Sequence, residues 1–255
     1  GMLRPINRMT WQEIAELDRS RLAYVLPISS TEQHGRQLPV GTDDLILQTS
    51  LEAVAKELTT STLFLQLPAI AYGNSFEHLD FPGTMTLRTE TMLRILEDLL
   101  YCMQQHQVRY LVIINSHGGN TPIFRAMSQE WKQRFQIEIF HVDYFGSDFF
   151  AGSQPIFQTP VAQDIHAGEI ETSYLQAVLP EVVKTQWIGP EWDVLVQLED
   201  YDDGWTTQKL SPGNGMLGAA SCANEQKGER LRSYMVQKLR KYLERIDQRI
   251  REEAP

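Results

Sequence analysis

The chain has 255 residues, 42% of them hydrophobic, enough for one large domain with a core of its own. Its formal net charge of −10 argues against binding along a phosphate backbone, which is a task for clustered Lys and Arg. No apolar run approaches the roughly 20 residues of a membrane span, the start lacks the basic-then-apolar plan of a signal peptide, and Cys102 and Cys222 have no motif spacing, so a cytoplasmic protein that engages neither nucleic acid nor membrane is expected.

In chain order, "AYVLPI" (23–28) reads as a buried strand. Directly after it, "TEQHGRQLPVGTDD" (31–44) places Glu32, His34 and Asp43 within a dozen positions. Residues 43–58 read as a helix, with Leu47, Leu51, Val54, Ala55 and Leu58 at helical spacing and Thr42 available as cap. "LFLQLPAI" (63–70) is a second strand. The polar connection "YGNSFEHLDFPGT" (72–84) follows it, and Ser75, Glu77 and His78 can reach the same sheet edge. His78 could equally anchor its own loop. Residues 91–106 form a second helix, in whose apolar pattern Cys102 reads as a buried free thiol.

"YLVIIN" (110–115) is a short apolar strand, ended by the turn in "NSHGGN". Gly118 and Gly119 there let backbone approach a ligand, or simply make a tight turn. Asn120, Thr121 and Pro122 open a third helix, since Asn or Thr caps well and Pro suits the first turn. "IEIFHVDYF" (137–145) is a fourth strand. Residues 146–163 and 185–221, rich in Gly, Pro, Asp and Trp, read as long loops of the kind that cover sites. Residues 224–253 form a long amphipathic helix with Leu231, Met235, Leu239, Tyr242, Ile246 and Ile250 as its apolar stripe.

This alternation predicts an α/β domain with a mostly parallel sheet covered on both faces. Ligands then sit beyond the carboxyl ends of the strands, so the 31–44 run and the "NSHGGN" turn should meet. Glu32, His34, Asp43 and His117, with His166, Glu169 and Glu171 of "DIHAGEIETS" (164–173), offer the carboxylate oxygens and imidazole nitrogens that zinc and manganese accept. In an extended segment residues 32 and 34 point the same way. Asp43 lies where a helix start favours a carboxylate, and it could merely cap that helix. Five mixed ligands suit a pair of ions sharing one carboxylate better than one closed structural site.

The stretches "TEQHGRQLPVGTDD", "YGNSFEHLDFPGT", "NSHGGN", "HAGEIETS" and "GMLGAASCANEQKG" resemble, in order and over roughly residues 10–240, the creatininase family. The resemblance implies a single domain over residues 2–255, a three-layer α/β/α sandwich and a homohexamer. It implies two divalent metal ions per chain, Zn or Mn, bridged by a water or hydroxide. Glu32, His34, Asp43 and His117 fall on ligand positions, with Asp43 bridging, Glu32 and His117 on one ion and His34 on the other. Creatininase itself carries a glutamate two positions after the last histidine, where this chain has Gly119. Glu169 is then the expected fifth ligand, while Glu171 is grouped with His166 in catalysis; which acid is the ligand stays open. His166 matches a histidine that shuttles protons to the leaving nitrogen. Ser75, His78, Gly118 and Gly119 are expected to line the substrate. Flap tryptophans find no match, and Trp187, Trp192 and Trp205 read as loop or core. The implied activity is hydrolysis of a small cyclic amide or formamide. Relatives that deformylate formamidopyrimidine nucleotides or cleave a small peptide are the alternatives, as is a catalytically silent metal-binding assembly or regulatory subunit.

Overall fold

The computed structural model describes residues 1–144, 149–193 and 204–253. Strand β1 (Leu3–Pro5) and the one-turn helix α1 (Trp11–Ala15) lead into β2 (Leu22–Ile28), α2 (Thr42–Glu57), β3 (Leu63–Gln66), α3 (Thr89–Gln105) and β4 (Tyr110–Asn115). Then come α4 (Thr121–Phe135), β5 (Glu138–Asp143), α5 (Glu169–Val178), the short α6 (Thr207–Leu210) and α7 (Glu225–Glu253). The strands form one five-stranded sheet in the order β1-β3-β2-β4-β5, every pairing parallel.

β2 and β4 are buried along their whole length, as the unbroken apolar runs require. Their side chains alternate between two cores. Ala23, Val25, Val112 and Ile114 pack with Leu47, Leu51 and Val54 of α2, Tyr174 and Leu175 of α5, and Leu231, Leu239 and Leu243 of α7. Leu22, Tyr24, Leu26, Leu111 and Ile113 pack on the other face with Met92, Leu96 and Leu100 of α3 and Phe124 and Trp131 of α4. The result is three layers, helices on both faces of the sheet. No helix among the described residues is long and apolar enough to cross a membrane.

The chain leaves β2 toward β3 on one side and later returns to β4 on the other. The carboxyl ends of β2 and β4 therefore flank a switch point, where the two outgoing loops part and leave a crevice.

Several expectations change. β1 has no counterpart among the expected strands, and the 164–173 motif runs into a helix over residues 169–178. Thr42 is the first helical residue of α2, not its cap; Gly41 holds that position, and the Thr42 hydroxyl donates to the Pro39 carbonyl. Asn120 precedes α4 without capping it. Cys102 is exposed, because the buried stripe of α3 runs through Leu96, Leu100 and Met103 and turns position 102 outward. The strand expected over 137–145 ends at Asp143, and its last residue, Phe145, lies outside the described residues, as do 146–148 and 194–203 of the two expected loops.

Candidate metal centre

Four elements deliver acids and histidines to the crevice. The run after β2 brings Glu32 and His34, the first turn of α2 brings Asp43, the turn after β4 brings His117, and the first turn of α5 brings Glu171. Glu32, His34, Asp43 and His117 are buried, and Glu171 is partly so. Asp43 is central. Its Oδ1 lies 3.0 Å from His34 Nε2, and its Oδ2 lies 3.2 Å from His117 Nδ1. Glu171 Oε2 is 3.3 Å from His34 Nε2, and Glu32 Oε1 is 3.2 Å from His117 Nδ1. The loops hold Asp43 from both strands: Ser30 Oγ donates to Oδ2 at 2.6 Å, and Ser116 Oγ donates to the Asp43 carbonyl at 2.9 Å.

Hydrogen bonds on the far side of each ring set the tautomers. His34 Nδ1 lies 3.1 Å from the Glu32 carbonyl, and His117 Nε2 lies 2.6 Å from the Asn74 carbonyl. A carbonyl only accepts, so these nitrogens carry hydrogen. In the neutral rings His34 Nε2 and His117 Nδ1 then present lone pairs to carboxylates. Lone pairs facing lone pairs repel unless a cation stands between them. A backbone carbonyl behind a ligating imidazole is also the usual orienting device at metal sites. Glu32 makes the same point. It is fully buried, and neither carboxylate oxygen has a hydrogen-bond partner among the described residues.

The charges respond accordingly. Burial alone would lower His34, yet Asp43 and Glu171 outweigh it and hold the ring well above the usual imidazole range. His117 is likewise raised, burial being outweighed by Glu32 and Asp43. Burial pushes Glu32 up to about 7, against the pull of His117. Asp43 stays well below the usual carboxylate range, because His34 and His117 overcome its burial. Without ions, protons on His34 and His117 supply the positive charge that the acids demand. The donor set fits two divalent ions sharing Asp43: His34, Asp43 Oδ1 and Glu171 on one side, Glu32, Asp43 Oδ2 and His117 on the other.

Glu169 is not part of this cluster, which corrects the expectation of a ligand there. Its carboxylate pairs with Lys227 Nζ at 2.7 Å and accepts from the backbone N–H of Gln158 and Thr159 at 3.0 and 2.7 Å. The reason is helical geometry. Glu169 and Glu171 are both in the first turn of α5, where positions two apart diverge by about 200°. One of them can face the crevice, and that one is Glu171, which joins His34 and Asp43.

A cavity of about 440 Å³ opens onto the cluster, walled by Glu32, Asp43, His78, His117, His166 and Glu171, among others. Gly118 and Gly119 also line it, and position 119 has no room for a side chain: an added Cβ would run into the Asn74 carbonyl and His117 Nε2. Ser75 does not reach the cavity wall; its hydroxyl is 3.3 Å from His117 Nε2, behind the ring. His166 faces the cavity with Nδ1, 4.0 Å from Glu32 Oε1, and its Nε2–H donates to the Gln33 carbonyl at 2.6 Å. Burial, with His78 and His34 nearby, holds its pKa well below 6.5. His78 Nδ1 accepts from Gln33 Nε2 at 2.8 Å, so its Nε2–H points at Glu32 and Glu77, 3.6 and 3.4 Å away. Trp205, read as loop or core, lines the cavity, as do Asn74, Glu77 and Ile165. Arg36 stays outside and donates to the Gly213 carbonyl.

A family model described as creatininase, creatinine amidohydrolase, matches residues 7–243. A mycofactocin precursor peptide peptidase of Mycobacterium tuberculosis (strain CDC 1551 / Oshkosh) is 32% identical over 234 residues, covering 87% of this chain and 84% of the relative. A creatinine amidohydrolase of Pseudomonas putida is 25% identical over 265 residues, covering 98% and 97%. Among solved structures, a mutant creatininase of Zn–Zn type superposes with a TM-score of 0.79 at 23% identity, over all of this chain and 99% of the other.

Proposed function

The chain belongs to the creatininase family, and from that premise we propose that it hydrolyses a small carbon–nitrogen amide, cyclic or formyl, with two divalent ions, zinc or manganese. The observation that carries the reading is the convergence of two imidazoles, His34 and His117, and two carboxylates, Glu32 and Glu171, around a shared Asp43. Ions held there would lower the pKa of a coordinated water to about 7 and polarise a carbonyl oxygen.

The chain's own groups have distinct tasks. Glu32, His34, Asp43, His117 and Glu171 hold the ions. Gln33 and Asn74 carbonyls fix His166 and His117 by their N–H groups. His166 starts neutral, with a free Nδ1 in the cavity. That nitrogen can take the proton from the attacking water and return it to the leaving nitrogen, which departs as an amine. Gly118 and Gly119 let the substrate approach backbone, and Trp205 supplies an apolar wall. A homo-oligomer, the hexamer included, belongs to the same reading; Tyr72, Phe76, Leu79 and Met85, exposed on or beside the loop of Asn74 and Glu77, offer it an apolar face.

A second reading replaces the small amide by a peptide, favoured by the 32% identity to the mycofactocin precursor peptide peptidase. One screen separates the two: metal-loaded protein against creatinine, simple cyclic amides, formamides and short peptides. Turnover of a non-peptide amide supports the first reading, peptide cleavage alone the second, and no turnover at all leaves the metal-binding subunit. With any substrate, His166→Ala is expected to lower kcat by about 100-fold or more with both ions retained. Full activity in that variant removes His166 from the proton path.

A further inference from the structure

Outside the five proposed ligands, one acid among the described residues walls the cavity. Glu77 sits on the single 3-10 turn Phe76–His78, with Oε1 3.8 Å from His117 Nε2 and 3.4 Å from His78 Nε2. Ligand atoms of Glu32, Glu77 and His117 all lie within 4.8 Å of one another. We infer that Glu77 is a further metal ligand, completing the Glu32–His117 side of the centre and making that ion the more tightly held of the two. The inference rests on the two-metal reading above.

Glu32 is fully buried, with both oxygens free of hydrogen bonds among the described residues. Its Oε2 and Glu77 Oε1 converge on the same His78 nitrogen, at 3.6 and 3.4 Å. One N–H at such distances cannot satisfy two carboxylates. His117 Nε2 is committed to the Asn74 carbonyl, which leaves Nδ1 as the nitrogen open to an ion on the Glu32 side. Two carboxylates thus converge beside the His117 ring, with no Lys or Arg among the described residues that wall the cavity to balance their charge. A divalent cation supplies that charge, where two close carboxylates alone would repel.

The loop carrying Glu77 is held in place from far along the chain. Thr207 Oγ1 donates to the Glu77 carbonyl at 2.9 Å and lies 2.5 Å from His78 Nδ1. The Glu32 side then has Glu32, Asp43, Glu77 and His117, and the other side has His34, Asp43 and Glu171. More anionic ligands on a fixed frame hold a divalent ion more tightly.

The test is zinc titration of chelator-stripped wild type and Glu77→Gln, followed by calorimetry and by elemental analysis after gel filtration. Wild type is expected to bind two ions of different affinity. In Glu77→Gln the tighter ion should weaken by about tenfold or more, with the other unchanged. Thermal unfolding of both proteins without ions, expected to match, excludes a folding defect. His34→Ala serves as the converse, losing the weaker ion. A Glu77→Gln titration identical to wild type overturns the assignment, and a raised KM alone would then place Glu77 against the substrate. Wild type that binds no ion would instead overturn the two-metal reading itself.

Discussion

Asp43→Ala is expected to leave the protein without either divalent ion and to lower amide hydrolysis by about a thousandfold or more, since the ions supply several kcal/mol of transition-state stabilisation. Asp43 joins the two proposed ligand histidines, with Oδ1 toward His34 and Oδ2 toward His117. It is held by Ser30 and, through its backbone, by Ser116, so its geometry does not depend on the ions. Loss of any other ligand should cost chiefly the ion on its own side. Elemental analysis of Asp43→Ala and Glu171→Gln checks this. The expected contents are near zero in the first and one ion per chain in the second. One ion retained in Asp43→Ala would mean that the carboxylate is not shared.

The second large effect concerns the acid that the sequence offers and the fold uses elsewhere. Glu169→Ala is expected to destabilise the protein by about 3–5 kcal/mol while keeping both ions. The substitution removes the partner of Lys227 and the acceptor for the Gln158 and Thr159 N–H groups, all at a fully buried side chain. Lys227 keeps a bond to the Cys222 carbonyl but loses its counter-charge. The melting temperature should fall by roughly 10 °C. Glu171→Gln should show the reverse, an ion lost and the ion-free protein little changed in stability. If Glu169→Ala loses an ion and Glu171→Gln does not, the assignment of the two acids is exchanged.

The pair shows where sequence reading stops. Glu169 and Glu171 are equivalent as letters, and the choice between them depends on recognising a helix that starts at Glu169. The Gly168 before it and the density of polar residues hide that start. By contrast, the runs 23–28 and 110–115 are wholly apolar, and strands buried on both faces leave that mark. Once both are parallel strands, the meeting of Glu32, His34 and His117 at one sheet edge follows from topology. β1 has three residues, one of them Pro, too few to show any period. Glu77 is legible as a residue that can reach the sheet edge, but its place there is set by contacts such as Thr207 with Glu77, 130 positions apart, and no local pattern encodes those or brings Trp205 to the cavity. The apolar composition around Cys102 points to burial, whereas its place two positions after Leu100 turns it off the buried stripe.

The measurement closest to the central claim is calorimetric titration of zinc into chelator-stripped wild type in two buffers of different ionisation heat. The acids raise His34 and His117, so both carry protons at neutral pH in the ion-free protein, and an ion on either side displaces the proton. Two ions per chain with release of about two protons is the expected result. A single ion, or binding without proton release, would contradict a centre in which His34 and His117 each ligate an ion across a shared Asp43.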